Sequence, residues 1–170
     1  MRKILSIPLL AACALALVSC ATQTKTTAAN AFAPKRLEKV RTTAYSHNEG
    51  SGSRNAIGRR LSGAGIRSAA SDWSRFPLGT RFRLVESGDE YVIDDYGGAL
   101  VGTNTIDLYK SPGAMHRWGV RHVDIDILGW GSAAESLKVL RPRHRVGIVR
   151  RMIASLEKKE TKAPEKKKKI

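Results

Sequence analysis

The sequence predicts a mainly β domain, a small barrel or sandwich, with one short helix inserted in it and a helical, basic extension behind it. Three observations lead there. Several segments alternate apolar and charged residues with period two, glycine-marked turns separate them, and apolar residues at helical spacing appear mainly after residue 131. At 170 residues the chain has room for one ordinary domain plus tails.

The first nineteen residues stand apart from that domain. "MRK" followed by "ILSIPLLAACALALVS" is a short positive segment and then an apolar run, the plan of a secretory signal peptide. A membrane-spanning helix is the alternative, but spanning takes roughly 17 to 25 apolar residues and nothing extends this run. It ends in "LVSC", which resembles the lipobox of bacterial lipoproteins. That resemblance implies cleavage before Cys20, lipidation of its thiol and a membrane anchor, with Ala21 favouring the periplasmic face of the outer membrane. Cys13 and Cys20 are the two cysteines of the chain, so a lipidated Cys20 leaves the exported domain without disulfide, thiol nucleophile or cysteine-based metal site. Residues 20–36, rich in Thr and Ala, read as a tether.

Residues 37–131 carry the strand signals. "VRTTAY" is β-branched and aromatic. "FPLGTRFRLV" sets Phe82 and Leu84 on one face and Arg81 and Arg83 on the other. "EYVIDD" follows a Ser-Gly-Asp turn, and "HVDIDIL" alternates Val123, Ile125 and Ile127 with Asp124 and Asp126. Between them "SPGAMHRWG" fits a short helix opened by Pro112 and closed by Gly119. The glycine-rich run from Ser46 to Gly65 lacks the following helix that a phosphate loop needs, so it is expected to be a mobile rim of a cleft.

Behind residue 131 the signals change. Ser132 and Glu135 have capping-box spacing, Pro142 stops the first helical run, and Val146, Val149, Ile153 and Leu156 continue at helical spacing. A helical extension is therefore expected over 132–157, then a disordered Lys-rich tail over 158–170. The charge lies at this end. Of a formal net charge of +15, residues 133–170 hold +9, thirteen Lys and Arg against four Glu. Such a tail can be drawn to anionic envelope polymers or lipid head groups. Nucleic acid is not expected as a partner, because an exported protein does not meet it and no aromatics are interleaved to stack on bases.

In this basic chain the stretch "VIDDYGGALVGTNTIDLY" concentrates carboxylates. Asp94 and Asp95 end a strand before Gly97 and Gly98, and Asp107 alternates with Ile106 and Leu108, which turns it away from whatever they bury. An aspartate in a partly dry cleft has its pKa pushed upward, as a general acid requires. Together with "AASDWSRFPLGTRFRLV" and "TIDLYKSPGAMHRWGVRHVDIDIL", this stretch resembles the three-aspartate, or 3D, domain found as the catalytic barrel of the membrane-bound lytic murein transglycosylase A family. The chain departs from the usual family pattern at Val101, where Lys is common, and at Trp73, where Pro is common.

The resemblance implies a six-stranded double-psi β-barrel with an acidic cleft holding Asp72, Asp95 and Asp107. It makes Asp107 the catalytic acid, with Asp95 and Asp72 beside it. Tyr45, Gly97, Gly98 and Trp118 are the expected substrate contacts. It also implies peptidoglycan glycan strands as substrate and a single aspartate as general acid and base. That aspartate can suffice because the C6 hydroxyl of the muramic sugar serves as internal nucleophile, giving a 1,6-anhydro end. The implied chemistry needs no cofactor or metal, and His47, His116, His122 and His144 lack metal-site spacing. Asp94, Asp124 and Asp126 fall outside the family positions and are expected to face solvent or sit in turns. Two other readings stand beside this one: a glycan-binding lipoprotein without catalysis on the same scaffold, and a tether joining envelope to wall through its lipid and its basic tail.

Overall fold

A computed structural model describes residues 34–49 and 52–166, with side chains through Thr161. The expected signal peptide, the lipidated Cys20 and nearly all of the tether lie outside the described residues. Among the described residues, no helix is long and apolar enough to cross a membrane.

Six strands close into a barrel: β1 (Lys35–Tyr45), β2 (Arg67–Ala70), β3 (Arg81–Leu84), β4 (Glu90–Asp95), β5 (Ile106–Tyr109) and β6 (Arg121–Gly129). Around the barrel they run β1-β5-β2-β4-β3-β6. The β1/β5 and β2/β4 pairs are parallel and the other four antiparallel. This is the double-psi barrel with one inserted helix and a helical extension.

Alternation explains the interior. In β4, Tyr91 and Ile93 are buried while Glu90 and Val92 are half-buried, and in β5 Ile106 and Leu108 are buried on either side of half-buried Asp107. Phe82 stacks on Tyr91 at 5.5 Å between ring centres. Strand β1 begins two residues inside the expected tether, because Lys35 and Arg36 pair with Ile127 and Asp126 of β6. The short β2, "RSAA", carries no alternation that a sequence reading could use. It is a strand because β4 and β5 flank it on both sides.

Helix α1 (Pro112–Trp118) ends where Gly119 takes φ +61°, a left-handed conformation that favours glycine. The extension holds α2 (Ala133–Leu140), a 3-10 turn around Pro142, and α3 (Gly147–Lys166). Ser132 caps α2 by accepting a hydrogen bond from the Glu135 amide at 3.2 Å. Leu137, Leu140, Val149, Met152 and Leu156 join the same buried cluster as Trp73 and Phe76, so the extension is part of the domain core. The expected disordered tail is corrected in part: α3 continues to Lys166, and Lys159 donates to the Ser74 carbonyl.

Two carboxylates expected in solvent are also placed differently. Asp126 is buried and accepts both Arg36 bonds, at 2.9 and 3.2 Å, across the β1/β6 seam. Asp94 is half-buried beneath the 52–61 loop, with one oxygen accepting from Asn55 and Ser68, both at 2.8 Å. Their partners lie 90, 39 and 26 residues away, distances over which periodicity carries no information.

Candidate active site

The site is assembled by strand register. Thr43 of β1 lies opposite Asp107 of β5, Asp107 opposite Ala70 of β2, and Ala70 opposite Asp95 of β4. The row thus carries Asp107 and Asp95 two strand spacings apart, roughly 10 Å between backbones. Ala70 stands between them, and its single methyl leaves the gap open. The register of β2 with β4 slips by one residue between Ala69 and Ala70, so Asp95 rather than Asp94 comes opposite Ala70. A bulge of this kind re-aims side chains at a strand end.

A cavity of about 170 Å³ opens over this row, lined by Asp95, Asp107, Tyr45, Glu49, Tyr96 and Gly97, among others. The expected contacts Tyr45 and Gly97 are therefore brought together with two of the three aspartates. Asp72, Gly98 and Trp118 are not among its lining residues. Asp72 is buried, with one oxygen accepting from the Ser74 amide at 2.8 Å and the other from the Gly102 amide at 2.7 Å. It ties the loop after β2 to the turn before β5. Gly98 packs toward α3: an added Cβ there would come within 3.3 Å of Ile148. Trp118 donates its indole N–H to Thr42 at 3.2 Å and lies under the Lys110 ammonium, 4.3 Å from the ring centre.

The two cavity aspartates are held differently. Asp95 accepts from the Ala56 amide at 3.0 Å, the Tyr96 amide at 2.9 Å and the Tyr45 hydroxyl at 3.4 Å. Its backbone carbonyl accepts from the Trp73 indole at 2.7 Å, so the fully buried Trp73 serves as a core anchor for this residue. Among the described residues, Asp107 has a single donor, the Thr43 hydroxyl at 2.6 Å on one oxygen.

Burial pushes the Asp95 carboxyl up to about 6, against the pull of its amide donors and with the charge of Asp94 adding to the rise. Burial also raises Asp107, with the Glu49 charge adding and the Thr43 bond and Arg41 opposing. Burial leads at Asp107, as expected of an aspartate in a partly dry cleft, while Asp95 stands across Ala70 and Asp72 is engaged by backbone amides elsewhere. Burial raises the Tyr45 phenol well above its ordinary value, aided by the charges of Asp95, Asp94 and Asp107, so it remains a donor.

The glycine-rich loop expected as a mobile rim is pinned at its centre. The Ala56 amide holds Asp95, the Asn55 side chain holds Asp94, and the Asn55 oxygen accepts from the amides of Ile57 and Arg59. Thr43, Glu49, Ala56 and Tyr96 are site residues that the sequence reading did not single out. Thr43 had a usable signal: it faces the same way as Tyr45 along β1 by strand alternation. Among the described residues no group of three His, Cys, Asp or Glu is placed to hold a metal ion.

No family model and no curated protein sequence matches the chain. Among solved structures it is similar to the crystal structure of MltA from E. coli, at 28% identity over 46% of this chain, with a TM-score of 0.35. The match spans 28% of that chain's length.

Proposed function

We propose that this protein cleaves the glycan strands of peptidoglycan as a lytic transglycosylase, with Asp107 as general acid and base. The observation that carries the reading is the meeting of Asp95 and Asp107, both with raised pKa, in one cavity beside a phenol that stays protonated. The sequence likeness to the three-aspartate domain supplies the substrate: the β-1,4 bond between N-acetylmuramic acid and N-acetylglucosamine.

In this mechanism protonated Asp107 gives its proton to the glycosidic oxygen as the bond to the muramic C1 breaks. The resulting carboxylate then accepts the proton of the C6 hydroxyl as that oxygen closes on C1. The proton account balances, the products are a free 4-hydroxyl and a 1,6-anhydro end, and Asp107 is returned protonated. Asp95, its oxygens engaged by two amides and Tyr45, serves to bind and orient sugar. Asp72 acts through the backbone, holding the turn at Gly102. We place the protein in the bacterial envelope, anchored through Cys20, with its barrel reaching the wall.

The deciding experiment digests purified sacculi with the full chain in detergent, comparing wild type with Asp107→Asn by mass spectrometry. Wild type is expected to release anhydro-muropeptides, and the variant to release them about 10² to 10⁴ times more slowly. Reducing ends in place of anhydro ends would make the enzyme a water-using hydrolase. Binding without products from wild type would leave the non-catalytic glycan-binding protein as the correct reading.

A further inference from the structure

A second cavity, of about 290 Å³, adjoins the acidic one and shares Asp95 and Tyr96 with it. Its outer walls are cationic. Arg54 comes from the loop after β1 and Arg143 from the turn between α2 and α3, so the C-terminal extension supplies one side of the groove. Arg143 donates to the Ala56 carbonyl at 2.8 Å and lies 3.5 Å from the Tyr96 hydroxyl, while Arg54 donates to the Gly58 carbonyl at 2.7 Å.

A guanidinium has five N–H donors, so each arginine keeps several for a ligand. Arg36, Arg67, Arg81 and Arg141 are matched to carboxylates and the other described arginines are not, so what sets Arg54 and Arg143 apart is their place in the cavity beside Asp95. Arg54 and Arg143 make no such ion pair among the described residues and face the same hollow. Planar, multi-donor guanidinium groups suit a carboxylate.

We propose that the hollow between Arg54 and Arg143 is a subsite for a carboxylate carried by the glycan beside the bond that is cut. This rests on the glycan-cleaving reading and deepens it: the extension supplies one wall of the hollow and reads the substrate's charge. The carboxylate has two possible sources, the lactyl group of a peptide-free muramic sugar or the stem peptide of a muropeptide.

The test measures binding to the full chain in detergent, in an Asp107→Asn background so that ligand is not consumed. Three ligands are titrated: peptide-free glycan oligomers, the same oligomers with their carboxyl groups reduced to alcohols, and peptide-bearing oligomers. Arg143→Gln and, separately, Arg54→Gln are expected to weaken binding of a carboxylate-bearing ligand at least about tenfold while leaving the reduced oligomer unchanged. A loss with the peptide-free oligomer assigns the lactyl carboxylate, and a loss confined to the peptide-bearing one assigns the stem. Arg151→Gln, the same charge change on α3 outside this hollow, is expected to alter none of the three. Equal weakening of charged and reduced oligomers by Arg143→Gln would make it only a brace for Ala56 and overturn the subsite, as would no change with any ligand. If the unsubstituted Arg54 and Arg143 protein binds none of the three, the glycan reading itself fails.

Discussion

Asp95 stores a pH dependence in the fold. Its carboxyl is raised to about 6 in the folded chain, against about 3.9 when unfolded. Between those values the folded protein holds a proton that the unfolded chain has released, so stability present at pH 4 declines as pH rises through 6. The loss amounts to at most about 3 kcal/mol. Asp95→Asn keeps an acceptor for the Ala56 and Tyr96 amides but removes the titration. Urea unfolding at pH 4 and pH 7 is expected to show the variant gaining on wild type at the higher pH. An unchanged difference between the two proteins across that range would mean that Asp95 titrates normally. The same buried setting is the cost of a site that holds a proton near neutrality.

At the level of elements, the junction between β6 and α2 leaves no room for a side chain at Gly131. At Gly131 an added Cβ would fall 2.3 Å from the Leu78 carbonyl oxygen, 2.4 Å from that of Pro77 and 2.5 Å from the Thr80 nitrogen. All three contacts are backbone, so no side chain can swing aside. The loop before β3 lies this close because Thr80 accepts from the Gly131 amide at 3.0 Å and the Leu78 carbonyl accepts from the Ser132 amide at 3.0 Å. Gly131→Ala is expected to destabilise the protein by about 3 kcal/mol, at the upper end of overpacking costs. Thermal melting followed by circular dichroism measures it. A shift of no more than a degree would show that the two backbones can separate freely.

For the whole molecule, the extension and the barrel share one core. Met152 of α3 is fully buried in the cluster that also holds Trp73 and Phe76, and Trp73 in turn donates to the Asp95 carbonyl. Met152→Ala is expected to cost about 2 to 5 kcal/mol, and denaturant unfolding should remain a single transition. Two transitions, with the barrel signal unmoved, would show instead that the helices fold apart from it. Through this shared core the extension is fixed to the barrel beside the cavity that Asp95, Tyr96 and Arg143 line. Pro142 turns the chain between α2 and α3, and that turn carries Arg143 to the second cavity, which adjoins the acidic one.

Local chemistry is legible in the order of the residues: period-two strands from Phe82 to Leu84 and from Val123 to Ile127, the Gly119 stop of α1, the Ser132 cap of α2, and an aspartate-rich, glycine-turned stretch as the candidate site. These are contacts and conformations within a few residues, where spacing carries information. How the carboxylates meet depends on strand register and on contacts distant in the chain. The likeness to the three-aspartate domain singles out Asp95 over Asp94, and a one-residue slip against β2 is what brings Asp95 opposite Ala70, into the row with Asp107. Asp72 is equally acidic in the sequence, yet backbone amides from two loops take both its oxygens. Strand β2, the burial of Asp126 by Arg36 and the arrival of Arg143 beside Asp95 likewise depend on partners dozens of residues away. Closing a barrel is what brings those partners together, and no local pattern encodes it.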